Sequence, residues 1–384
     1  MPKAGALYRR SPNLVSYWAD GRLVFHNYAS GLRVAGTALT IGLLDYFHDW
    51  RPAARLLESS SLPVAELQNA LRTMVRASLL QQAGRPLRTG ERAMEQWAAW
   101  NPAAGFFHFS TKDMPYEAGE ADAVAFLTKR MASRPVPPQT KGDGRRAGVT
   151  LSTISAPDAF SRVLLARRSW RQFGRKSLSM KALSTLMQLT FGAQEFMDLG
   201  AAGQAMLRTS PSAGACNPIE AYVAVRRVSG VPPGLYHYAP VEHRLIRLKN
   251  VARPTIEDYV CGQSWFGQAS VLVLMTAVFG RTEWKYPNGR AYRAVLLEAG
   301  HFCQTFCLVA TALGLAPFCT VALADSAIER DLGLDGVSES VIYACGVGTR
   351  PPGLEWAPWP DTAELPSSRE PTRVANGRRR RPRR

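Results

Sequence analysis

Cysteine and histidine are scarce in this sequence, six of each among 384 residues, and neither occurs in a spacing that marks metal or redox chemistry. The sequence contains no Cys-x-x-Cys, no His-Glu-x-x-His and no Gly-x-Ser-x-Gly. It therefore lacks the motifs that mark thiol redox sites, zinc proteases and serine hydrolases. His301, Cys303 and Cys307 lie close together on an apolar helix. Because no second ligand cluster accompanies them, we interpret them as core packing rather than a metal site.

Long apolar runs and targeting signals are also missing. The start, MPKAGALYRR, has no apolar segment of a secretory signal, and no apolar stretch approaches the ~20 residues that span a bilayer. Most of the cysteines lie in apolar runs, which is typical of buried free thiols in a reducing compartment. We therefore expect a soluble cytoplasmic protein without a disulfide framework. The six cysteines are Cys216, Cys261, Cys303, Cys307, Cys319 and Cys345.

Acidic residues are fewer than basic residues, 30 against 47, and the formal net charge is +17. Residues 369–384 carry eight Arg and one Glu, and without them the net charge falls to +10 (17 − 7). This tail offers nothing apolar to bury, so we predict that residues 366–384 form a disordered basic tail. It could contact nucleic acid, an acidic protein or a membrane surface, but a solvated terminus is the simpler interpretation.

The first 100 residues read as a small domain of hairpin and helices. A hairpin is predicted over 13–28, turning at Asp20-Gly21, and helical patterns follow at 37–47 and 63–80. This order predicts a winged-helix-like N-terminal domain over residues 1–100. Residues 101–150 form a connecting segment, because 131–150 are rich in proline, glycine and charge.

A second domain is predicted over residues 151–365. Helices and strands alternate there without a regular βαβ repeat, so the fold class is α+β. The predicted helices cover 158–168, 179–192 and 290–313, and the predicted strands cover 219–228, 234–240, 244–248, 269–279 and 340–348.

Three segments of this domain could bind an anionic or flat ligand. Arg167, Arg168 and Arg171 surround Ser169, and guanidinium forks suit phosphate or ring oxygens, although a basic helix end favoured by the helix dipole is an alternative. A loop of small residues lets backbone approach a flat ligand closely, although it also occurs in ordinary turns. It comprises Pro211, Ser212, Ala213 and Gly214. Gly348 and Arg350 follow a strand and could hold a phosphate.

Lys285 and Tyr286 follow the apolar run 271–279, which reads as a buried strand. A lysine beside a tyrosine works as an acid/base pair only where the surroundings shift the lysine pKa from about 10.4. The alternative is a solvated lysine on a surface loop.

Taken in order, these segments resemble the SagB-type dehydrogenases, a branch of the flavin-dependent nitroreductase superfamily. The resemblance is carried by RRSWRQF, PSAGACNPIEAY, GLYHYAPVEHRL, KYPNGRAYRAVLLEAGHFCQTFCLVATALGL and CGVG, and it covers about 155–350. It implies a nitroreductase-like FMN-binding fold, a mixed sheet flanked by helices, preceded by the winged-helix-like domain. The segment 316–326, APFCTVALADS, departs from the family, which tends to have a glycine-rich loop there.

The resemblance also implies roles for the residues named above. Arg167, Arg168, Ser169 and Arg171 would contact FMN, the loop from Pro211 to Gly214 would border its ring, and Gly348 and Arg350 would lie near its phosphate. Lys285 and Tyr286 match the Lys-Tyr signature of azoline-oxidising members. They would be the catalytic pair, with Lys285 as the base.

The implied activity is FMN-dependent oxidation of thiazoline or oxazoline rings to azoles in a ribosomally synthesised peptide, by a homodimer with a precursor peptide and a cyclodehydratase as partners. Three alternatives stay open. They are an NAD(P)H-dependent nitro or quinone reductase, oxidation of a carrier-bound or amino-acid-derived substrate, and a nucleic-acid-binding protein. The helix 63–80 offers only Arg72 and Arg76 on its polar face, which disfavours nucleic acid.

Overall fold

The computed structural model describes residues 6–354, apart from 60–62, 88–90, 118, 135, 139–148, 150, 153–157, 199–202 and 249–254. The predicted basic tail and most of residues 131–150 lie outside the described residues.

The N-terminal part contains two small sheets and three helices around their own core. The hairpin turns where it is predicted, because Asp20 and Gly21 both have positive φ, as a two-residue hairpin turn requires. Leu43, Phe47 and Leu71 are buried between the helices and the first sheet. The elements are β1 (Leu7–Arg10), β2 (Leu14–Ala19), β3 (Arg22–Asn27), β4 (Leu32–Ala35), α1 (Ala38–Tyr46), β5 (Arg51–Pro52), α2 (Ala53–Ser59), α3 (Val64–Arg76) and β6 (Leu80–Gln82), in sheets β5-β1-β6 and β2-β3-β4.

The connecting segment contains two further helices, α4 (Ala103–Ser110) and α5 (Glu120–Ser133), and its first part packs into the C-terminal half. Just before the segment, Trp97 is 1% exposed and donates from Nε1 to the carbonyl of Val337 at 2.9 Å. His108 hydrogen-bonds the Tyr292 hydroxyl at 2.8 Å. These contacts are buried and join positions distant in sequence, so this segment is part of the core that supports the C-terminal half.

The C-terminal half is built on one six-stranded sheet in the order β11-β10-β9-β12-β14-β13. Its central strand β12 is almost fully buried because helices cover both faces, which explains why its sequence is apolar at nearly every position. The elements are α6 (Ala159–Ala166), α7 (Met180–Phe191), β7 (Glu195–Asp198), β8 (Gln204–Leu207), β9 (Ile219–Val225), β10 (Gly234–Ala239), β11 (Arg244–Arg247), α8 (Ile256–Tyr259), β12 (Val271–Val278), α9 (Phe279–Glu283), α10 (Ala291–Ala312), β13 (Leu315–Thr320), α11 (Asp325–Leu332) and β14 (Glu339–Thr349).

The α+β class is confirmed, and two details of the sheet differ from expectation. All neighbouring strands of the six-stranded sheet are antiparallel, where a mixed sheet is predicted; the parallel contact among the described residues is an isolated bridge between Leu178 and Val228. Residues 315–320, taken in the sequence as part of a loop, form strand β13. Pro317 obscures this strand in the sequence, and the sheet tolerates proline there because β13 is an edge strand.

Helix α10 covers Ala291–Ala312, within the predicted span 290–313. By length and composition it could cross a membrane, contrary to the expectation that no stretch reaches that range. Half of the stretch is buried, and the helix packs against α7, β13 and β14. A helix that is apolar on most of its surface is typical of a core position, which is the place that α10 occupies here.

Candidate functional site

The loop between β8 and β9 has an unusual backbone. Gly214, Ala215 and Asn217 all have positive φ, at 58°, 55° and 47°. Two of these residues carry side chains, for which the left-handed region is costly, so the surroundings must hold the loop in place. Asn217 does part of this, since its backbone amide donates to Ser212 Oγ at 2.9 Å and its Nδ2 donates to the carbonyl of Met206 at 2.8 Å.

Lys285 and Tyr286 lie directly against this loop. Lys285 Nζ donates to the carbonyl of Gly214 at 2.8 Å. A Cβ added at Gly214 would lie 2.4 Å from Tyr286 Oη and 2.9 Å from Lys285 Nζ, so the two side chains close over a position that only glycine leaves open. The structure thus brings together two predicted groups of site residues that are about 70 positions apart.

The turn that carries the pair is held from two sides. The pair follows the short helix α9 rather than the end of β12 directly, and Lys285 is exposed in the single chain rather than buried. Trp100 Nε1 donates to the carbonyl of Tyr286 at 3.0 Å. Arg281 forms an ion pair with Glu220 at 2.6 Å and donates to the carbonyl of Asn217 at 2.8 Å. Arg281 therefore ties the Lys-Tyr turn to the loop.

Helix α10 supports the loop from below with three polar side chains, Glu298, His301 and Thr305. Glu298 accepts hydrogen bonds from the Ser212 hydroxyl and the Ala213 amide. His301 Nδ1 lies 3.3 Å from the carbonyl of Pro211, and Thr305 hydrogen-bonds Ser210 at 2.8 Å. Sequence reasoning missed Glu298 and Thr305, although the spacing 298, 301, 305 places all three on one face of an otherwise apolar helix.

Glu298 is the buried titratable group of this arrangement. Its residue is 2% exposed, and its Oε1 is buried without a hydrogen-bond partner. Burial raises the pKa of Glu298 to about 7, while the bond from Ser212, the charge of Arg208 and the bond from the Ala213 amide oppose that rise. The protonation state of this carboxyl therefore changes near neutral pH, directly beneath the loop.

The predicted arginine segment lies at the other end of α10, along the edge of the sheet. The Trp170 amide donates to the carbonyl of Pro317 at 2.8 Å. Arg171 is half-buried, and burial lowers the pKa of its guanidinium. Ser169 also lies in this stretch. Arg168 donates to the carbonyls of Leu165 and Arg167 at 2.9 and 2.8 Å, so this arginine caps its own helix, as the alternative interpretation holds.

Gly348 and Arg350 join the arginine segment. Arg350 Nε donates to the carbonyl of Leu315 at 3.0 Å, and its guanidinium lies over the Trp170 ring at 5.3 Å. A Cβ added at Gly348 would lie 2.8 Å from the Phe173 ring, so glycine permits the close packing of this segment on β14. Arg167 ends α6 beside it. The site residues thus form two groups, the loop with the Lys-Tyr pair and the arginine segment with the end of β14.

The segment that carries these residues is similar to known proteins. The family description "Nitroreductase family" matches residues 164–349. A protein of Methanocaldococcus jannaschii that is named as a nitroreductase is 33% identical over 171 residues, which are 44% of this chain and 82% of that protein. The trifolitoxin-processing protein TfxB of Rhizobium leguminosarum bv. trifolii is 28% identical over 172 residues, 44% of this chain and 46% of TfxB. The match thus spans about half the length of TfxB.

Among solved structures, a chain of the E. coli microcin synthetase McbBCD complex with truncated pro-MccB17 bound is 20% identical. The alignment covers 61% of this chain and 95% of that chain, with a TM-score of 0.43.

Proposed function

Because the chain belongs to the nitroreductase family, we propose that it is an FMN-dependent dehydrogenase that oxidises thiazoline- or oxazoline-type rings to azoles in a ribosomally synthesised peptide. Family membership confirms the superfamily predicted from the motifs, whose members are flavin-dependent oxidoreductases. The observation that carries the finer proposal is the contact of Lys285 and Tyr286 with the Gly214 loop. The TfxB match supports it, since that relative is named as a processing protein for trifolitoxin.

The residues of both groups suit FMN. Arg167, Arg171 and Arg350 supply positive charge for a phosphate and for the pyrimidine edge of a flavin, where the negative charge of the reduced ring is stabilised. Pro211, Ala213 and Gly214 are exposed and small, so a flat ring can lie against their backbone. The arginine segment is cationic and suits the phosphate of FMN. The loop from Pro211 to Gly214 has little side-chain bulk and suits the flat ring.

When bound, FMN supplies the two-electron oxidation of the ring. Lys285 would accept the ring proton at Nζ, and the hydrogen bond from Nζ to the Gly214 carbonyl holds the amine against the loop. Tyr286 Oη lies beside that amine and positions the ring. Trp100 and Arg281 hold the turn, so the pair meets the substrate with its backbone already in place.

A homodimer is part of the proposal. Several large apolar side chains on α6 and α10 are exposed, including Phe160 at 63%, Leu165 at 59% and Leu297 at 65%. Exposed apolar patches of this kind are typical of association surfaces. The proposed substrate is a precursor peptide whose rings are made by a partner cyclodehydratase, and we place the protein in the cytoplasm with them.

The first test is the absorbance of the purified protein and the identity of any chromophore released from it. We expect FMN at about one per chain, and loss of two hydrogen atoms from a thiazoline-containing peptide by mass spectrometry. A colourless chain that fails to take up added FMN would contradict the proposal. Rapid bleaching by NADPH without ring oxidation would instead favour a nitro or quinone reductase.

Replacing Gly214 by alanine tests whether the loop positions the pair. The added Cβ meets the mobile ends of Tyr286 and Lys285, so those side chains move while the fold persists. We expect ring oxidation to slow at least about tenfold, since small misplacement of reacting groups is costly, with FMN still bound. The matched control is Gly230→Ala, which has a similar positive φ of 78° and meets nothing closer than 3.8 Å. If both variants keep full activity, the loop does not position the pair.

A further inference from the structure

Four cysteines converge in the core between α10 and the sheet, and none has a role in the proposed chemistry. Cys303 and Cys307 lie one turn apart on α10, Cys319 lies on β13 and Cys345 on β14. The sulfur atoms of Cys303, Cys307 and Cys319 all lie within 4.8 Å of one another. Cys345 faces Cys319 across the strand pair, although its sulfur atom is not one of the set that lies within 4.8 Å. We name these four residues the thiol cluster.

The fold itself produces this convergence. Residues four apart on a helix share a face, so Cys303 and Cys307 both point at the sheet. Directly opposed residues of an antiparallel pair share a face of the sheet, so Cys319 and Cys345 both point at α10. Three elements thus deliver four sulfur atoms to one volume, which the sequence alone does not reveal because the residues span 43 positions (345 − 303 + 1).

The spacing suits a metal ion. Zinc binds thiolate at about 2.3 Å in a tetrahedron, which places neighbouring sulfur atoms about 3.8 Å apart. Sulfur atoms already within 4.8 Å reach that separation through small side-chain rotations. Thiolates select soft or borderline ions such as zinc over magnesium and calcium.

A tyrosine and an arginine lie beside the thiol cluster. The Tyr343 hydroxyl lies within hydrogen-bonding reach of Cys303 and Cys319, where it can donate to sulfur as an outer-shell group. The guanidinium of Arg171 interacts electrostatically with Cys319. Cys319 is only partly buried, whereas Cys345 is 0% exposed, so an ion can reach the cluster from the β13 side.

We propose that the thiol cluster is a binding site for a borderline-soft divalent metal ion of the zinc class. Two other interpretations compete with it. Free thiols can serve as small core residues, but packing alone does not require three sulfur atoms to lie within 4.8 Å of one another. A disulfide would join two of these three sulfur atoms and leave the third beside it, whereas one ion can engage all three.

Three sulfur atoms of the cluster already lie within 4.8 Å of one another, and rotation of Cys345, which faces Cys319, would add a fourth ligand and close the site as in structural zinc centres. Such a site would fix the edge strand β13 to α10, the helix that carries Glu298 and His301 beneath the Gly214 loop. The proposal does not depend on the flavin chemistry, since the metal content of the chain can be measured whatever reaction the protein performs.

The experiment uses the full chain, purified under reducing conditions without chelator. Metal content is measured by plasma mass spectrometry, and Co²⁺ is titrated in as a spectroscopic probe of tetrahedral thiolate coordination. We expect about one zinc per chain and a thiolate-to-cobalt charge-transfer band. Cys307→Ala and Cys345→Ala are expected to weaken binding at least about tenfold. Cys261→Ser, outside the thiol cluster, is expected to bind as the unaltered chain does.

Cys307 and Cys345 are both buried, and replacing a buried residue can destabilise the fold. Circular dichroism therefore checks that each variant is folded before its titration is interpreted. Loss of the cobalt band in a folded variant supports the site. If a cluster variant fails to fold, the metal content and the cobalt band of the unaltered chain and of Cys261→Ser still decide whether the chain binds a metal ion through thiolates. A reduced chain that contains no metal and shows no cobalt band overturns the proposal. So does a disulfide between two of the four residues in a parallel preparation purified without reductant.

Discussion

Replacing Lys285 by alanine is expected to abolish ring oxidation while FMN stays bound. A positioned general base contributes about 10²- to 10⁴-fold to a rate, and Lys285 is the amine that meets the Gly214 loop. The flavin contacts proposed for the arginine segment are untouched, because those residues lie on other elements. The measurements are the single-turnover rate on a thiazoline peptide and the flavin content of the same preparation.

Lys285→Arg tests whether position 285 acts as a base or only supplies a positive charge. Arginine keeps the positive charge and can still donate to the Gly214 carbonyl, but it stays protonated in proteins and cannot accept the ring proton. We expect this variant to be as slow as Lys285→Ala. Near-normal turnover in Lys285→Arg would show that the position needs only a cation, and the acid/base role would then be wrong. Lys129→Ala, an exposed lysine on α5, serves as the control for a general loss of charge.

The two groups of site residues were predictable from the sequence to different degrees. Helix α10 and strand β12 are recognisable in the sequence, because long and mostly apolar stretches cover them. The Lys-Tyr pair was found through its likeness to a family signature. Its contact with Gly214 was not derivable locally, since it spans 71 positions and depends on tertiary contacts such as the Arg281–Glu220 ion pair between α9 and β9.

Register and burial account for what the sequence analysis missed. Cys319 meets Cys345 only because β13 pairs with β14 in one particular register, and Pro317 hides β13 from a pattern search. Glu298 carried a usable signal, one acid in an apolar helix, spaced with His301 and Thr305 on the same face. His301 was instead weighed with Cys303 and Cys307 as a metal cluster. The structure separates them, with His301 toward the loop and the cysteines toward the sheet.

The buried carboxyl of Glu298 makes the free energy of unfolding depend on pH in a definite direction. Its pKa rises from 4.5 to about 7 on folding, so the folded state holds the proton more tightly than the unfolded state does. The stabilisation is complete below pH 4.5 and is lost as the pH rises through 7. A difference of about 2.5 pKa units corresponds to about 3 kcal/mol.

Glu298→Gln removes that dependence and keeps the loop, because the amide oxygen can still accept from the Ser212 hydroxyl and the Ala213 amide. We expect the unaltered chain to lose about 3 kcal/mol relative to this variant between pH 4.5 and 7, measured by urea unfolding at several pH values. The other charged or titratable groups around the loop and the carboxyl are unchanged in the variant, and they include Arg208, Arg281, His301, Lys285 and Cys216.

Asp325→Asn is the matched control for the Glu298 experiment. Burial raises the pKa of Asp325 to about 6, but this carboxyl contacts Asp113 far from the loop. We expect Asp325→Asn to remove its own part of the pH slope and leave the Glu298 part in place. Equal slopes in the unaltered chain and Glu298→Gln would show that Glu298 is charged throughout the range. In that case Arg208 and the two hydrogen bonds outweigh burial, and the loop rests on a permanent negative charge rather than on one that appears near neutral pH.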